Sequence, residues 1–400
     1  MQICICRVSV KEWIKISDLL FFQEGPGVRN TQYTQSGVKL LNVANLVNGK
    51  VDLSTSDRYI SEDEAFGRYK HFLCDDGDFI IASSGIKVEY FDKKMGFVDS
   101  SMLPLCMNTS TIRFKVIDSE RLNIKYFMYY LKSFHFKQQL SKFITGSAQL
   151  NFGPSHLKKM NMPLVSLKEQ NDIVEKLSKV ELLLDKYNGE IKLLDELIKA
   201  RFVEMFGEYE TSVKLSRYIK ELRAGKSLAG KTKCKNKVLK TGAATFGFFD
   251  KEQYKYYPVD YVPNPLHKVE DGDVIISRMN TPELVGSCSY VFEAPEDMYY
   301  PDRLWKTIIT EDTNPIFLWQ LMWQQDIRKQ IKENSFGTSG TMNNISKVKL
   351  LNIKAIDVPL ELQKEYASFV EEIDKSRSRI QKSLEASQEL FDSLIQEYFG

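Results

Sequence analysis

The sequence is poor in the residues that build metal centres and disulfide frameworks. It has only four histidines, and none of them belongs to a His-Glu-x-x-His pattern. Its six cysteines form no Cys-x-x-Cys pair; they are Cys4, Cys6, Cys74, Cys106, Cys234 and Cys288. Such scattered cysteines argue against a disulfide framework and against a zinc site. We therefore expect reduced thiols and no metal in this chain.

Long apolar runs and an excess of one charge are also missing. No window approaches the run of about 18 apolar residues that a membrane span requires, and the first residues lack the basic start of a secretory signal. We therefore expect a cytoplasmic protein without a membrane partner. Lys and Arg number 55 against 53 Asp and Glu, so any signal for nucleic-acid binding must be local. A length of 400 residues predicts two or more domains.

No nucleophile and base stand in a recognisable catalytic pattern, which favours a non-catalytic chain. One segment, Gly225–Thr232, does fit the P-loop pattern, in which Lys231 would reach a bound phosphate. A P-loop needs a buried strand before it and a helix after it. Here residues 216–223 are polar and residues 233–240 are rich in lysine. ATP binding is therefore a disfavoured alternative.

The chain is a tandem duplication. Four pairs of segments match in the same order along its two halves, which identifies a repeat of about 200 residues. The pairs are Lys39–Asp52 with Lys237–Asp250, Asp75–Ile81 with Glu270–Ile276, Gly146–Asn151 with Thr338–Asn343, and Leu197–Gly207 with Leu390–Gly400. Any one match could be a common strand or turn, but four in register are not accidental.

Each repeat begins with an α+β module. Short β-rich runs bounded by Gly, Asp, Asn and Pro predict strands at Lys39–Val43, Phe79–Ala82, Thr111–Val116, Val274–Ser277 and Lys306–Ile309. Long aromatic-rich stretches predict one helix over Ile124–Ile144 and one over Ile316–Ile331.

Each repeat ends in a heptad pattern. Apolar residues recur at alternating steps of four and three, as in a coiled coil, and the other faces are dense in Glu and Lys. The seam residues are Ile173, Leu177, Val180, Leu184, Ile191, Leu194 and Ile198 in the first copy and Val370, Ile373, Ile380, Leu384, Phe391 and Leu394 in the second. Each helix should be roughly 55 Å long at 1.5 Å per residue. Neither helix can bury its apolar stripe alone, so we expect an antiparallel coiled coil between them; dimerisation with another chain stays open.

These patterns predict an α+β fold in which two pseudo-twofold-related α+β domains are separated by two long helices that form an antiparallel coiled coil. The predicted boundaries are 1–166 for the first domain, 167–207 for the first helix, 208–358 for the second domain and 359–400 for the second helix.

Several loops of the modules carry residues suited to phosphates and base edges. They are a lysine-rich run without acidic residues from Arg223 to Lys240, a Gly/Pro loop in the first module, the two recurring polar loops, and the segments that follow the Asp-Gly-Asp strands. The candidate DNA-binding residues are Arg29, Asn30, Ser83, Ser84, Lys87, Ser147, Gln149, Asn151, Lys226, Lys231, Lys233, Lys235, Arg278, Asn280, Ser339, Thr341, Asn343 and Lys347. Solvated loops and helix caps would use the same residue types.

This layout closely resembles the specificity subunit of type I restriction-modification systems. The resemblance covers essentially the whole chain, and its most family-like patterns are Met162–Gln170 and Val358–Gln363 at the helix starts, with Thr145–Ser147 and Gly337–Ser339 upstream. None of these patterns is catalytic.

The resemblance implies a protein that binds double-stranded DNA without cutting or methylating it. Each module would be a target recognition domain for one half of a split, asymmetric DNA site. The helices would determine the length of the unspecified spacer between the two half-sites. Two modification subunits would methylate adenine N6, and restriction subunits would translocate and cleave the DNA. No cofactor is expected in this chain, whereas S-adenosylmethionine, ATP and Mg are expected in the partner subunits. A protein-protein adaptor with two interaction modules on a coiled coil is the alternative.

Overall fold

The fold is known from a computed structural model that describes residues 12–142, 151–337 and 342–400. The chain divides into two compact units. The first, called unit 1, runs to Asn188 and also includes Lys382–Gly400. The second, called unit 2, is Gly189–Gln381. The division falls inside both long helices, so each unit holds one module and a segment of each helix.

Unit 1 contains the first eleven strands of the described residues. They are β1 Glu12–Lys15, β2 Leu20–Glu24, β3 Val38–Leu41, β4 Leu46–Val47, β5 Lys50–Val51, β6 Tyr59–Ile60, β7 Phe79–Ala82, β8 Met95–Phe97, β9 Leu105–Met107, β10 Thr111–Val116 and β11 Asn161–Leu164. Its helices are α1 Glu62–Phe66, α2 Ile124–Lys132, α3 Phe134–Ser141, α4 Pro154–Leu157 and the first part of α5, Leu167–Phe206.

The core of unit 1 is a four-stranded antiparallel sheet in the order β2-β10-β7-β8. All four residues of β7 are buried, which is why its sequence is a continuous apolar run. Phe114 of β10 lies opposite both Phe22 and Phe79 in the register. A second sheet, β6-β3-β9, and a pair, β1-β11, complete the unit together with the β4-β5 hairpin.

Unit 2 contains the remaining strands of the described residues. They are β12 Thr211–Lys214, β13 Ile219–Ala224, β14 Lys237–Leu239, β15 Tyr254–Tyr256, β16 Val274–Ser277, β17 Met279–Asn280, β18 Cys288–Tyr290, β19 Met298–Tyr299, β20 Leu304–Ile309, β21 Asn343–Asn344 and β22 Lys354–Ile356. Its helices are α6 Pro315–Met322, α7 Gln325–Asn334, α8 Lys347–Leu351 and the first part of α9, Leu360–Phe399.

The sheets of unit 2 repeat those of unit 1. The four-stranded sheet has the order β13-β20-β16-β18, the three-stranded sheet is β15-β14-β19, and β12 pairs with β22. Unit 2 adds a short pair, β17-β21. This shared topology accounts for the sequence repeat, and the predicted strands at Phe79–Ala82, Thr111–Val116 and Val274–Ser277 have the observed bounds.

The recurring Asp-Gly-Asp motif builds a turn and a buried ion pair in each unit. In unit 1 the carboxylate of Asp78 accepts the backbone N–H of Asp75 at 2.8 Å and lies 3.1 Å from Nη1 of Arg113. In unit 2 the carboxylate of Asp273 accepts the backbone N–H of Glu270 at 2.8 Å and lies 3.0 Å from Nζ of Lys306. The motif therefore fixes the start of the central strand and neutralises its own buried charge.

The single helices predicted before each long helix are wrong, because the structure has two helices at both places. In unit 1, α2 ends at Lys132 and α3 begins at Phe134. Ser133 between them accepts a hydrogen bond from the N–H of Phe136, so its side chain caps a new helix instead of continuing the old one. In unit 2 the break lies between Met322 and Gln325.

In unit 1 the start of α5 runs antiparallel to the end of α9. Tyr129 contacts Glu181 of α5 through a 2.8 Å hydrogen bond, and its ring centroid is 6.2 Å from that of Phe391 of α9. Earlier in α5, Lys176 is 3.4 Å from the hydroxyl of Tyr398, later in α9. Moving from Glu181 back to Lys176 along α5 thus corresponds to moving from Phe391 forward to Tyr398 along α9, so the two helices are antiparallel.

Unit 2 shows the same antiparallel pairing between the second part of α5 and the first part of α9. The guanidinium of Arg201 is 3.1 Å from Glu365, Tyr366 donates to the carbonyl of Ile198 at 3.2 Å, and Arg377 pairs with Asp195. Arg201 and Arg377 interrupt the apolar seam, and each has an acidic partner on the other helix. The predicted antiparallel pairing is confirmed in each unit.

Every residue of the predicted seam is buried or half-buried. In unit 1, Ile173, Leu177 and Val180 join the core of the module together with Phe391 and Phe399. In unit 2, Ile198 and Val370 join the core together with Phe206. The matching ends of the two helices make equivalent contacts. Phe399 packs on Tyr126 of α2, with ring centroids 5.0 Å apart, and Phe206 packs on Phe317 of α6, with ring centroids 5.3 Å apart.

Candidate nucleic-acid interface

Two loops that are distant in the sequence meet at one end of the central sheet in unit 1. The backbone N–H of Ser83, just after β7, donates to the carbonyl of Ser110 at 2.8 Å. The carbonyl of Ser83 accepts the N–H of Phe152 at 3.0 Å, and Ser84 forms a β-bridge with Asn151. The structure therefore brings Ser83, Ser84 and Asn151 together. Ser83 itself is buried, so Ser84 and Asn151 form the accessible polar surface.

Unit 2 repeats this hydrogen-bonded frame bond for bond. The N–H of Arg278, just after β16, donates to the carbonyl of Arg303 at 3.0 Å, and the carbonyl of Arg278 accepts the N–H of Ile345 at 3.0 Å. Asn280 pairs with Asn343 in the β17-β21 ladder. The backbone is thus the same in both units, while the side chains on it differ.

Glycine is required where the first strand of each central sheet ends. A Cβ at Gly25, after β2, would lie 2.1 Å from the carbonyl oxygen of Asn108. A Cβ at Gly225, after β13, would lie 1.8 Å from the carbonyl oxygen of Tyr300. At both glycines the backbone passes so close to a neighbouring backbone that no side chain fits. In each unit this contact brings the following loop to the end of the central sheet where the polar loops meet.

The same geometry argues against a P-loop at Gly225–Thr232. Gly225 and Gly230 lie against the backbone carbonyls of Tyr300 and Tyr257, and a Cβ at Gly230 would be 2.4 Å from the latter. Contrary to expectation, a strand with buried Ile219 and Leu222 precedes the segment. No helix follows it, however, because the described residues 225–236 are irregular. The glycines serve backbone packing, and the helix N-terminus that a P-loop aims at a phosphate is missing there.

The structure adds polar residues in unit 1 that the sequence did not single out. Ser84 and Ser110 join their hydroxyls at 2.6 Å, and Asn108 donates to the side chain of Asn42 at 2.8 Å. Glu24 ends β2 at the same end of the sheet, where burial raises the pKa of its carboxyl group and the nearby Ser83 hydroxyl lowers it by less. Ser110 has a positive φ of 67°, an uncommon conformation for serine. No spacing in the sequence points to Glu24, Asn42, Asn108 or Ser110, because these residues come together only in the folded sheet.

The remaining candidates of unit 1 lie on exposed loops. Arg29 and Asn30 are exposed at the start of a short 3₁₀ turn, where the N–H of Arg29 donates to Gln32 at 3.1 Å. Lys87 is exposed three residues after Ser84. Ser147 and Gln149 lie outside the described residues, as do Ser339 and Thr341 of the second repeat.

In the lysine-rich run of unit 2, the backbone of Lys226 is hydrogen-bonded to neighbouring residues, whereas other lysines of the run are exposed. The N–H of Lys226 donates to the carbonyl of Tyr300 at 3.2 Å, and its carbonyl accepts the Tyr257 hydroxyl at 2.9 Å. Lys231 and Lys233 are exposed, and no hydrogen bond between described residues joins them to the frame. Lys235 is exposed too, with its Nζ 3.5 Å from the carboxylate of Asp297. Lys347 is exposed at the start of α8.

The part of the chain that the structure describes holds no cluster of His, Cys, Asp or Glu able to bind a metal ion. Burial raises the pKa of Cys74 and of Cys106 to about 12, so neither of these thiols is activated. Cys4 and Cys6 lie outside the described residues. Among the helices of residues 12–142, 151–337 and 342–400, none combines the length and apolar character of a membrane span.

Comparisons with known proteins add independent findings. Residues 11–194 match the family model described as type I restriction modification DNA specificity domain. The type I restriction enzyme MjaVIII specificity subunit of Methanocaldococcus jannaschii is 26% identical over 178 residues, which are 44% of this chain and 40% of that protein. The type I restriction enzyme EcoKI specificity subunit of Escherichia coli is 21% identical over 291 residues, 67% of this chain and 62% of that protein. The chain thus spans less than two thirds of the length of either relative.

A solved structure covers more of the chain. The crystal structure of a type I restriction-modification system S subunit from M. genitalium has a TM-score of 0.58 with this chain at 16% identity, and the match covers 99% of this chain and 98% of that one. At this identity the similarity shows the fold, and it extends through both repeats.

Proposed function

We propose that this chain, whose residues 11–194 match the family model described as type I restriction modification DNA specificity domain, is the specificity subunit of a type I restriction-modification complex. Each module would bind one half of a bipartite, asymmetric site in double-stranded DNA. The chain itself would be non-catalytic. Two modification subunits would methylate adenine N6 at the site, and restriction subunits would cleave DNA that lacks the methyl groups.

One observation carries the proposal: two identical backbone frames present different side chains. Unit 1 places Ser83 and Ser84 where unit 2 places Arg278 and Met279. Phosphate contacts position a protein on DNA, but hydrogen bonds to base edges determine the sequence that it reads. Serine contacts bases with little selectivity, whereas arginine favours guanine. A shared scaffold with different side chains is what the reading of two unlike half-sites requires.

The proposal assigns the reactive cofactors to the partner subunits. The candidate surface offers hydroxyls, amides and cationic side chains, which suit DNA backbone and bases rather than the chemistry of methyl transfer. S-adenosylmethionine would be bound by the modification subunits, and ATP with Mg by the restriction subunits. We place the complex in the cytoplasm.

The first experiment is single-molecule sequencing of genomic DNA with and without this gene, recording N6-methyladenine. We expect a bipartite, non-palindromic methylated motif that disappears on deletion and returns when the gene is restored. A control strain that lacks only the modification gene should lose the same motif. If deletion of this gene leaves every methylated motif in place, while deletion of the modification gene removes one, the proposal is wrong.

A second experiment tests which unit reads which half. Exchange of residues 208–358 for the module of another family member should change one half of the methylated motif and leave the other half unchanged. A change in both halves would contradict independent reading by the two modules.

The adaptor alternative is tested with the purified chain and its modification subunits, since an adaptor would show no salt-sensitive binding to duplex DNA.

A further inference from the structure

We infer that a lysine-lined concavity in unit 1 binds a phosphate of the DNA backbone beside the half-site that this unit reads. The inference rests on the proposed function and adds a site to it. The concavity measures about 390 Å³ and is lined by the lysines Lys87, Lys93 and Lys94 together with Asn48, Gly85, Tyr90 and the apolar Val47 and Ile86. Of these residues, the sequence singled out only Lys87.

Backbone hydrogen bonds from two directions build the concavity. The N–H of Ala82, the last residue of β7, donates to the carbonyl of Lys94 at 2.8 Å, and the N–H of Gly49 donates to the carbonyl of Lys93 at 3.2 Å. Asn48 and Gly49 form the two-residue turn of the β4-β5 hairpin, with φ of 49° and 79°. Lys94 is therefore attached to the central sheet and Lys93 to the β4-β5 hairpin.

The concavity is continuous with the candidate interface. Gly85 lines it and directly follows Ser84, which forms the β-bridge with Asn151. Gly85 has a φ of 74°, a value that lets the chain turn immediately after the polar frame and that a side chain would strain. A duplex that contacts Ser84 and Asn151 would thus carry its backbone past the three lysines.

The electrostatics of the lining favour an anion. It holds three lysines and no carboxylate. Asp92, on the segment that carries Lys93, is bound to Lys137 at 3.2 Å instead. Lys94 makes one long hydrogen bond, 3.5 Å to the carbonyl of Val43, which leaves further N–H donors of its ammonium group. The Nζ of Lys93 lies 5.6 Å from the centre of the Tyr90 ring, and Tyr90 is 51% exposed.

This site resolves an asymmetry between the repeats. Unit 2 has a lysine-rich run after β13, whereas the corresponding loop of unit 1 carries Arg29 as its basic residue. A module that holds a polyanion needs cationic contacts wherever its sequence places them. In unit 1 they come from residues 87–94, which are assembled by the fold and form no basic run, since Glu89 and Asp92 interrupt them.

The test uses the complete complex with its modification subunits and measures duplex binding over a salt series. The variants are Lys87→Ala, Lys93→Ala and Lys94→Ala, singly and together, with Lys168→Ala as a matched control on an exposed position of α5. Loss of one phosphate contact should make the slope of log K against log salt less negative by about 0.9. The affinity should fall roughly three- to tenfold, equally for specific and unrelated duplexes. The methylated motif should stay the same.

A second variant excludes misfolding as the cause. The triple Lys→Arg variant keeps the charge and should bind DNA as the wild type does. Duplexes with a single neutral methylphosphonate then locate the contact: one position should weaken the wild type and have no further effect on the triple alanine variant. Inorganic phosphate should compete only at concentrations far above those of duplex, because a single phosphate lacks the base contacts.

The outcomes separate the inference from the function on which it rests. If the wild-type complex binds its site and the alanine variants keep its affinity and salt slope, the inference is wrong and the proposed function stands. If the wild-type complex binds no duplex at all, both fail. If Lys168→Ala reduces the slope as much as the concavity variants do, the effect is one of general charge, and the site is overturned.

Discussion

The side-chain oxygen of Gln363 accepts a hydrogen bond from the backbone N–H of Asn314 at 2.9 Å. The amide group of Gln363 donates to the carbonyls of Val358 at 2.7 Å and of Asp312 at 3.2 Å. Gln363 is fully buried, so one side chain joins the start of α9 to the loop before α6. Gln170 repeats the arrangement at the start of α5, where its oxygen accepts the N–H of Asn123 at 2.9 Å.

Gln363→Ala should destabilise unit 2. The change leaves one N–H and two carbonyls without their partner in a dry environment, which costs about 2–3 kcal/mol. Gln363→Glu tests the donors, because a carboxylate places its oxygens against the two carbonyls and should be at least as harmful. Thermal unfolding of the purified chain measures both, and Gln388→Ala, at an exposed position of α9, is the control. Equal melting temperatures for Gln363→Ala and the control would contradict the role of the buried amide.

These glutamines show what the sequence could and could not predict. The strand Phe79–Ala82 and the long helices follow from apolar runs and heptads, because periodicity along the chain records which faces are buried. The segment Val358–Gln363 was noticeable as a pattern, but its spacing does not reveal that Gln363 reaches Asp312. That contact depends on how α6 and α9 meet in space.

The candidate interface follows the same division. The residue types at Ser84 and Asn151 predict polar loops, but only the fold makes them neighbours. The letters of Gly225–Thr232 fit the pattern of a phosphate loop, which the sequence context disfavours, and the structure uses Gly225 for contact with the carbonyl of Tyr300. A motif specifies residue types, whereas its chemistry depends on the elements on either side of it.

Leu177→Ala should destabilise unit 1 much more than Leu182→Ala. Leu177 is fully buried in the core, whereas Leu182 lies five residues later on the same helix and is 70% exposed. The same substitution therefore creates a cavity at one position, which costs about 2–5 kcal/mol, and removes an exposed side chain at the other. Thermal or urea unfolding of both variants checks the difference. Equal effects would mean that Leu177 is not part of the helix seam.

Leu184→Asp extends this test to the middle of α5. Leu184 is half-buried and packs against the core of unit 1, so a charge at this position loses water without gaining a partner. We expect a lower melting temperature and aggregation on heating, and little effect from Leu182→Asp at the exposed position two residues earlier. A variant Leu184→Asp that melts like the wild type would argue against a seam that continues beyond Val180.

Arg278→Ala should change the specificity of one module. If its guanidinium contacts guanine, the substitution removes a bidentate hydrogen bond worth about 1–3 kcal/mol of discrimination. The methylated motif would then become degenerate at one position of one half-site, and the other half would stay unchanged. Arg278→Lys keeps the charge but lacks the planar fork, so it should relax the same position. Weaker methylation at an unchanged motif would instead assign Arg278 to the DNA backbone.

Glu24→Gln should strengthen DNA binding and weaken its dependence on pH. Burial raises the pKa of the Glu24 carboxyl group above its usual range. In the wild type, acidification through that pKa removes a negative charge at the candidate interface, and repulsion of DNA phosphates falls with it. The same raised pKa means that the folded chain holds this proton more tightly than the unfolded chain, so unit 1 gains stability from Glu24 as the pH falls. Duplex affinity measured from about pH 7 to pH 5 should therefore rise less in Glu24→Gln than in the wild type. Glu62→Gln, at an exposed carboxylate of α1, is the matched control, and parallel pH profiles for the wild type and Glu24→Gln would place Glu24 away from the DNA.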